Sequence, residues 1–86
     1  MVKSIVLISI KEVVSLYFQR LRDLREDKDL KQAEIADILG IQQTVYSRYE
    51  RGMQNIPLEH LIHLADFYGV STDYILGRTN NPETNL

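Results

Sequence analysis

Two hydrophobic periods divide this chain. Ser4-Ile5-Val6-Leu7-Ile8-Ser9-Ile10 is a short run rich in β-branched side chains and free of helix breakers, which reads as a strand. No second strand pattern follows, so this one pairs with a copy of itself or folds back as an arm. From Lys11 the period becomes helical. Val14, Tyr17 or Phe18, Leu21, Leu24 and Arg25 fall on one face, giving a first helix that ends near Glu26 to Lys28.

Asp29 or Leu30 then enters a second helix over residues 32–39, with Ala33, Ile35, Ala36 and Leu39 inward. Gly40 supplies a left-handed turn. A third helix over residues 42–51 has Val45, Tyr46 and Tyr49 available to the core, and Gly52 ends it. Pro57 suits the first position of a fourth helix, where its missing N–H costs nothing. The apolar face of that helix reads Leu58, Leu61, Ile62, Ala65 and Tyr68, with Gly69 as the stop. Ser71 can cap a short fifth helix packing Tyr74, Ile75 and Leu76, closed by Gly77. The tail from Arg78 is polar and expected to be loosely held.

The 86 residues allow one modest core and no separate sensor domain. Without cysteine there is neither a disulfide frame nor a thiolate zinc site. Met1 to Ile10 superficially resembles a secretion signal, but its basic region is Lys3 alone, its apolar run is short and no small-x-small cleavage pattern follows. The expectation is a cytoplasmic protein with no membrane span. The net charge of -2 argues against a nucleic-acid partner, yet its distribution argues the other way. Asp23, Glu26, Asp27 and Asp29 precede the central helices, whereas Asp66, Asp73 and Glu83 follow them. From Gln42 through Asn55, Arg48 and Arg51 face one acid, Glu50.

The stretch Lys31 to Gly52 is two short amphipathic helices joined by one glycine, the second opening with small polar side chains. That is the arrangement of a helix-turn-helix. With Leu30, Gln32-Ala33-Glu34-Ile35-Ala36, Leu39-Gly40-Ile41, Tyr49-Glu50-Arg51-Gly52, Pro57, Leu64-Ala65, Gly69-Val70-Ser71 and Asp73-Tyr74-Ile75-Leu76-Gly77 in this order, residues 18–77 resemble the phage repressor and Cro-type family, also called the XRE family. The resemblance implies an all-α fold: a compact five-helix, lambda-repressor-like bundle that regulates transcription as a homodimer on double-stranded DNA. Residues 16–77 would be the DNA-binding domain, residues 1–15 an N-terminal extension and residues 78–86 a polar tail.

Carried over by position, the base contacts are Gln42, Gln43, Thr44 and Arg48. Glutamine can pair bidentately with the N6 and N7 edge of adenine, arginine with O6 and N7 of guanine, and the Thr44 methyl can meet thymine. On an isolated helix these would be ordinary solvated side chains; the motif is what favours base contact. Phosphate contacts fall to Gln32, at the position where the family's glutamine also braces the recognition-helix glutamine, and to Arg51, Gly52 and Asn55. Met53, Gln54 and Ile56 depart from the family by standing where lysine or arginine is common, which implies fewer phosphate contacts. Arg25 and Glu50 match a family ion pair with a structural role. Tyr46 replaces a smaller aliphatic residue, so its hydroxyl needs a partner or a route to water.

His60 and His63, three apart, read as a solvated helix face rather than a metal site, since no third ligand lies near them in the sequence. No glycine-rich phosphate loop, nucleophile elbow or paired base marks an enzyme, a cofactor or a small-molecule ligand. A protein-interaction module on the same fold, such as an antitoxin or a partner of a larger regulator, is the rival reading. Residues 1–15 carry a rival of their own. Lys11-Glu12-Val13 can be encoded by AAG-GAG-GTG, a ribosome-binding sequence, and Leu16 by TTG, a bacterial start; other codons there remove that reading.

Overall fold

The computed structural model describes residues 10–84, with side chains from Phe18 onward. The described residues form five helices and no strand: α1 (Ile10–Asp27), α2 (Gln32–Leu39), α3 (Gln43–Glu50), α4 (Leu58–Tyr68) and α5 (Thr72–Ile75). The strand expected over residues 4–10 lies outside the described residues except for Ile10, which opens α1 instead. The backbone of α1 runs on without a break between residues 15 and 16, so the expected boundary there is not marked by any change of secondary structure.

Phe18 and Leu21 of α1, Ile35, Ala36 and Leu39 of α2, Tyr46 and Tyr49 of α3, and Leu61, Leu64, Ala65 and Tyr68 of α4 meet in one core, closed by Val70 and Ile75. The four helices after α1 are too short to hold in water alone; burial of these apolar faces against one another supplies their stability. Two expected inner faces need correction. Ala33 is exposed at the start of α2, and Leu58 and Ile62 are 70% and 47% exposed on α4, where Leu64 takes the buried place. The helical period fits either stripe of α4. The buried one contains Leu61, Leu64, Ala65 and Tyr68, at three- and four-residue steps. Pro57 also sits one place earlier than expected, in extended conformation as the N-cap of α4.

All five helices finish on the same pair of backbone hydrogen bonds. After α2 the Gly40 N–H reaches the Asp37 carbonyl at 3.1 Å and the Ile41 N–H reaches the Ala36 carbonyl at 2.9 Å. This Schellman arrangement satisfies carbonyls that the helix end would leave bare, and it needs a left-handed residue at the turn. Glycine fills that place four times, but after α1 it is Asp29, at φ 55°. Aspartate tolerates this region better than most side chains, though less well than glycine.

The tail is less free than its composition suggests. Arg20 on α1 donates to the carbonyls of Tyr74 (2.7 Å) and Thr79 (2.6 Å) and to Asn80 Oδ1, while its guanidinium lies 4.2 Å from the centre of the Tyr74 ring. The Ser71 N–H donates to the Pro82 carbonyl at 3.0 Å. Residues 79–82 are therefore tied back onto α1 and the start of α5.

Two turn glycines should respond differently to alanine. A Cβ at Gly40 would meet nothing within 4 Å, so Gly40→Ala should lose only the left-handed preference, about 1 kcal/mol. A Cβ at Gly52 would stand 2.7 and 2.8 Å from two ring carbons of Phe18, and Gly52→Ala should lose about 2–4 kcal/mol. Urea denaturation measures both; equal losses would contradict the close approach of the turn after α3 to α1.

Candidate nucleic-acid interface

The helix-turn-helix is built from the caps inward. Lys31, extended at ψ 157°, is the N-cap of α2 in place of the expected Asp29 or Leu30, and its N–H donates to Glu34 Oε1 at 2.9 Å. Ile35, Ala36 and Leu39 anchor α2 in the core, and Gly40 reverses the chain. Gln42, extended at ψ 149°, caps α3. Tyr46 and Tyr49, three apart and 0% and 2% exposed, fix which face of α3 points inward. The opposite face must then carry Gln43, Thr44, Ser47, Arg48 and Arg51, and these line one open depression.

Four of the expected DNA-contacting residues are thus brought together: Gln43, Thr44, Arg48 and Arg51. Ser47, half-buried between them, was not among the sequence candidates; its helical offsets from Gln43 and Thr44 are the signal that finds it. Gln42, Gly52 and Asn55 are exposed at the two ends of α3 but do not line the depression. Ile56, where the family often has a cation, packs half-buried against the core, whereas Met53 and Gln54 are exposed.

Behind this face lies a charged network. Arg25 Nε donates to Glu50 Oε2 at 2.7 Å and Nη2 to Glu50 Oε1 at 3.0 Å, a two-pronged pair linking α1 to α3. The side chains are 12% and 4% exposed. The third arm of the guanidinium, Nη1, donates to the Leu30 carbonyl at 2.9 Å in the α1–α2 connection. Gln32 Nε2 donates to Glu50 Oε1 at 3.1 Å. Gln32 is thus engaged with the far end of α3, where the family pattern led us to expect it against Gln43.

Burial alone would push the Glu50 pKa up, but hydrogen bonds from Arg25 and Gln32 outweigh it and hold the carboxyl below its ordinary value. The nearby Tyr46 hydroxyl also favours the charged form, although it makes no hydrogen bond of good geometry. The bond to Glu50 in turn raises the Arg25 pKa. Both members are charged at neutral pH.

Tyr46 packs edge-on to Tyr49, ring centres 6.2 Å apart. The hydroxyls of Tyr46 and Tyr68 are buried with no hydrogen-bond partner among the described residues. Burial pushes both phenols up, Tyr68 to about 12. His60 is not on a fully solvated face as expected: it is half-buried, its ring centre 6.3 Å from that of Tyr49, while His63 is exposed. No helix among the described residues is long and apolar enough to cross a membrane.

Comparison with known proteins agrees with this architecture. Residues 21–75 match the helix-turn-helix family HTH_3. This chain belongs to that family of XRE-type regulators. It is 43% identical over 68 residues to the uncharacterized HTH-type transcriptional regulator YobD of Bacillus subtilis, covering 79% of this chain and 61% of YobD. It is 38% identical over 71 residues to the cryptic phage CTXphi transcriptional repressor RstR of Vibrio cholerae, covering 83% of this chain and 61% of RstR. The HTH-type transcriptional regulator ImmR of Bacillus subtilis is 37% identical over 60 residues, or 70% of this chain and 47% of ImmR. The chain therefore spans about half to six-tenths of the length of these relatives. No solved structure matches it significantly.

The network should set the response to acid. A carboxyl whose folded pKa is depressed stabilises the fold above the unfolded value, about 4.3, and loses that contribution as pH falls through the folded value. Glu50→Gln should cost about 3–5 kcal/mol at neutral pH by stranding Arg25, and should flatten the fall in stability below about pH 4. Denaturation curves across that range check both; an acid slope identical to wild type would show that Glu50 is not the group responsible.

Proposed function

We propose that this chain is a sequence-specific DNA-binding transcriptional regulator that acts as a homodimer. Two copies of α3 would enter successive major grooves about 34 Å apart on a near-palindromic operator. Gln42, Gln43, Thr44 and Arg48 would read base edges, while Gln32, Arg51, Gly52 and Asn55 would hold the sugar-phosphate backbone. Occupation of a promoter would repress transcription, as the name of the transcriptional repressor RstR suggests.

The observation that carries this reading is the outer face of α3. Gln43, Thr44, Ser47, Arg48 and Arg51 share one surface, and Glu50, the acid of the helix, is turned away from it into the pair with Arg25. The face offered to a ligand is therefore cationic and rich in donors although the whole chain carries -2. Residues 16–77 would act as the binding unit in a cytoplasmic protein, with no cofactor required.

One observation favours a second reading, a module that binds another protein. Leu58 and Ile62 lie one turn apart and exposed on α4, and Met53 is 68% exposed just before them. Such apolar surface suits a protein contact, and it can coexist with DNA binding.

Selection from a random duplex pool separates the two. Wild type should recover a two-fold symmetric site. Gln43→Ala should relax one position per half-site, a discrimination loss of about 1–3 kcal/mol. Arg51→Ala should instead weaken all sequences alike and lower the salt slope by about 0.9. Recovery of no sequence by folded wild-type protein would leave the protein-binding reading.

A further inference from the structure

The hydrogen bond between Gln32 and Glu50 joins the first residue of α2 to the last residue of α3. It also fixes which way the Gln32 amide faces. An ionised carboxylate can only accept hydrogen bonds, so it must meet the NH2 end of the amide and never the carbonyl end. Glu50 is itself immobilised: Oε2 accepts from Arg25 Nε at 2.7 Å, and Oε1 accepts from Arg25 Nη2 at 3.0 Å while receiving Gln32. Its side chain is 4% exposed, so little water competes for those oxygens. Nε2 of Gln32 carries a second N–H, which this contact leaves over. That N–H stands at the start of α2, where the first backbone N–H groups of the helix also lack intrahelical acceptors.

We infer that Glu50 is a positioning residue for DNA: held by Arg25, it orients the Gln32 side-chain amide so that the remaining N–H joins the α2 N-terminus in gripping a backbone phosphate. The inference rests on the DNA-binding reading above and deepens it. The pair that locks α1 to α3 would then also set the phosphate contact of α2, through one oxygen atom shared by both donors. A purely structural Glu50 would leave Gln32 to find its own rotamer, and loss of the Gln32 amide would weaken binding by the same factor whatever stood at residue 50.

The test is a double-mutant cycle on DNA affinity, using Gln32→Met to remove the amide at nearly constant shape and Glu50→Gln to remove the fixed acceptor. The probe is a mixed-sequence duplex of about two helical turns at low salt, with each variant's fold checked by circular dichroism. Gln32→Met should weaken binding about fivefold in wild type and less than about twofold beside Glu50→Gln. Equal losses in both backgrounds would overturn the positioning role. Absence of duplex binding by wild type would overturn the DNA reading and this inference with it.

A second readout needs no destabilised variant. In the free wild-type protein, the two Gln32 side-chain amide protons should show distinct nuclear magnetic resonance shifts away from those of a solvated glutamine, and one should exchange slowly. Ordinary solvated shifts and fast exchange of both would overturn the inference.

Discussion

The pair of Arg25 and Glu50 is the constraint on which the arrangement of this small bundle turns. It spans α1 and α3, is nearly closed to solvent, and uses all three faces of the guanidinium, the third on the carbonyl of Leu30. Taking two charges out of water is costly, and only good geometry with every donor and acceptor occupied offsets that cost. Here Glu50 accepts from Arg25 twice and from Gln32 once. Well-packed apolar residues of similar volume often replace a buried ion pair without loss of stability. What they would not supply is direction: two forked groups meet in one orientation, and that orientation fixes the roll of α3 against α1.

The same contact reconciles an acidic protein with an anionic ligand. Net charge is a sum over the whole surface, whereas a duplex meets one face of it. On α3 the acid is folded inward and neutralised, while Arg48 and Arg51 remain outside beside Gln43 and Thr44. The acids after α3 lie elsewhere: Glu59 and Asp66 on α4, Asp73 on α5 and Glu83 in the tail. Local sorting of charge by the helical period, rather than excess of lysine and arginine, gives the candidate interface its sign.

Much of this was readable in the sequence because helical periodicity, caps and turn glycines are local signals. Residues 32–39 follow from spacing, whereas Gln43, Thr44 and Arg48 come from the family pattern, and the inward Tyr46 and Tyr49 agree with placing them on the outer face. The misreadings were of another kind. Leu58 and Ile62 satisfy the helical period as well as Leu61 and Leu64 do, and only the packing of α4 on the other helices decides between the two stripes. Arg20 reaches residues more than fifty positions away, so the tying down of the tail had no local sign. Gln32 was expected against Gln43 through the family pattern; its bond to Glu50 depends on where the ends of two helices meet, and spacing does not encode that.

The central claim is that the charges of Arg25 and Glu50 act as a unit. A double-mutant cycle of Arg25→Met and Glu50→Leu, followed by chemical denaturation at neutral pH, tests it most directly. Each single change should cost about 3–5 kcal/mol, because each strands a buried charge, and the double change should cost well under their sum. Losses that simply add would contradict the account, since they would mean that neither side chain depends on the other.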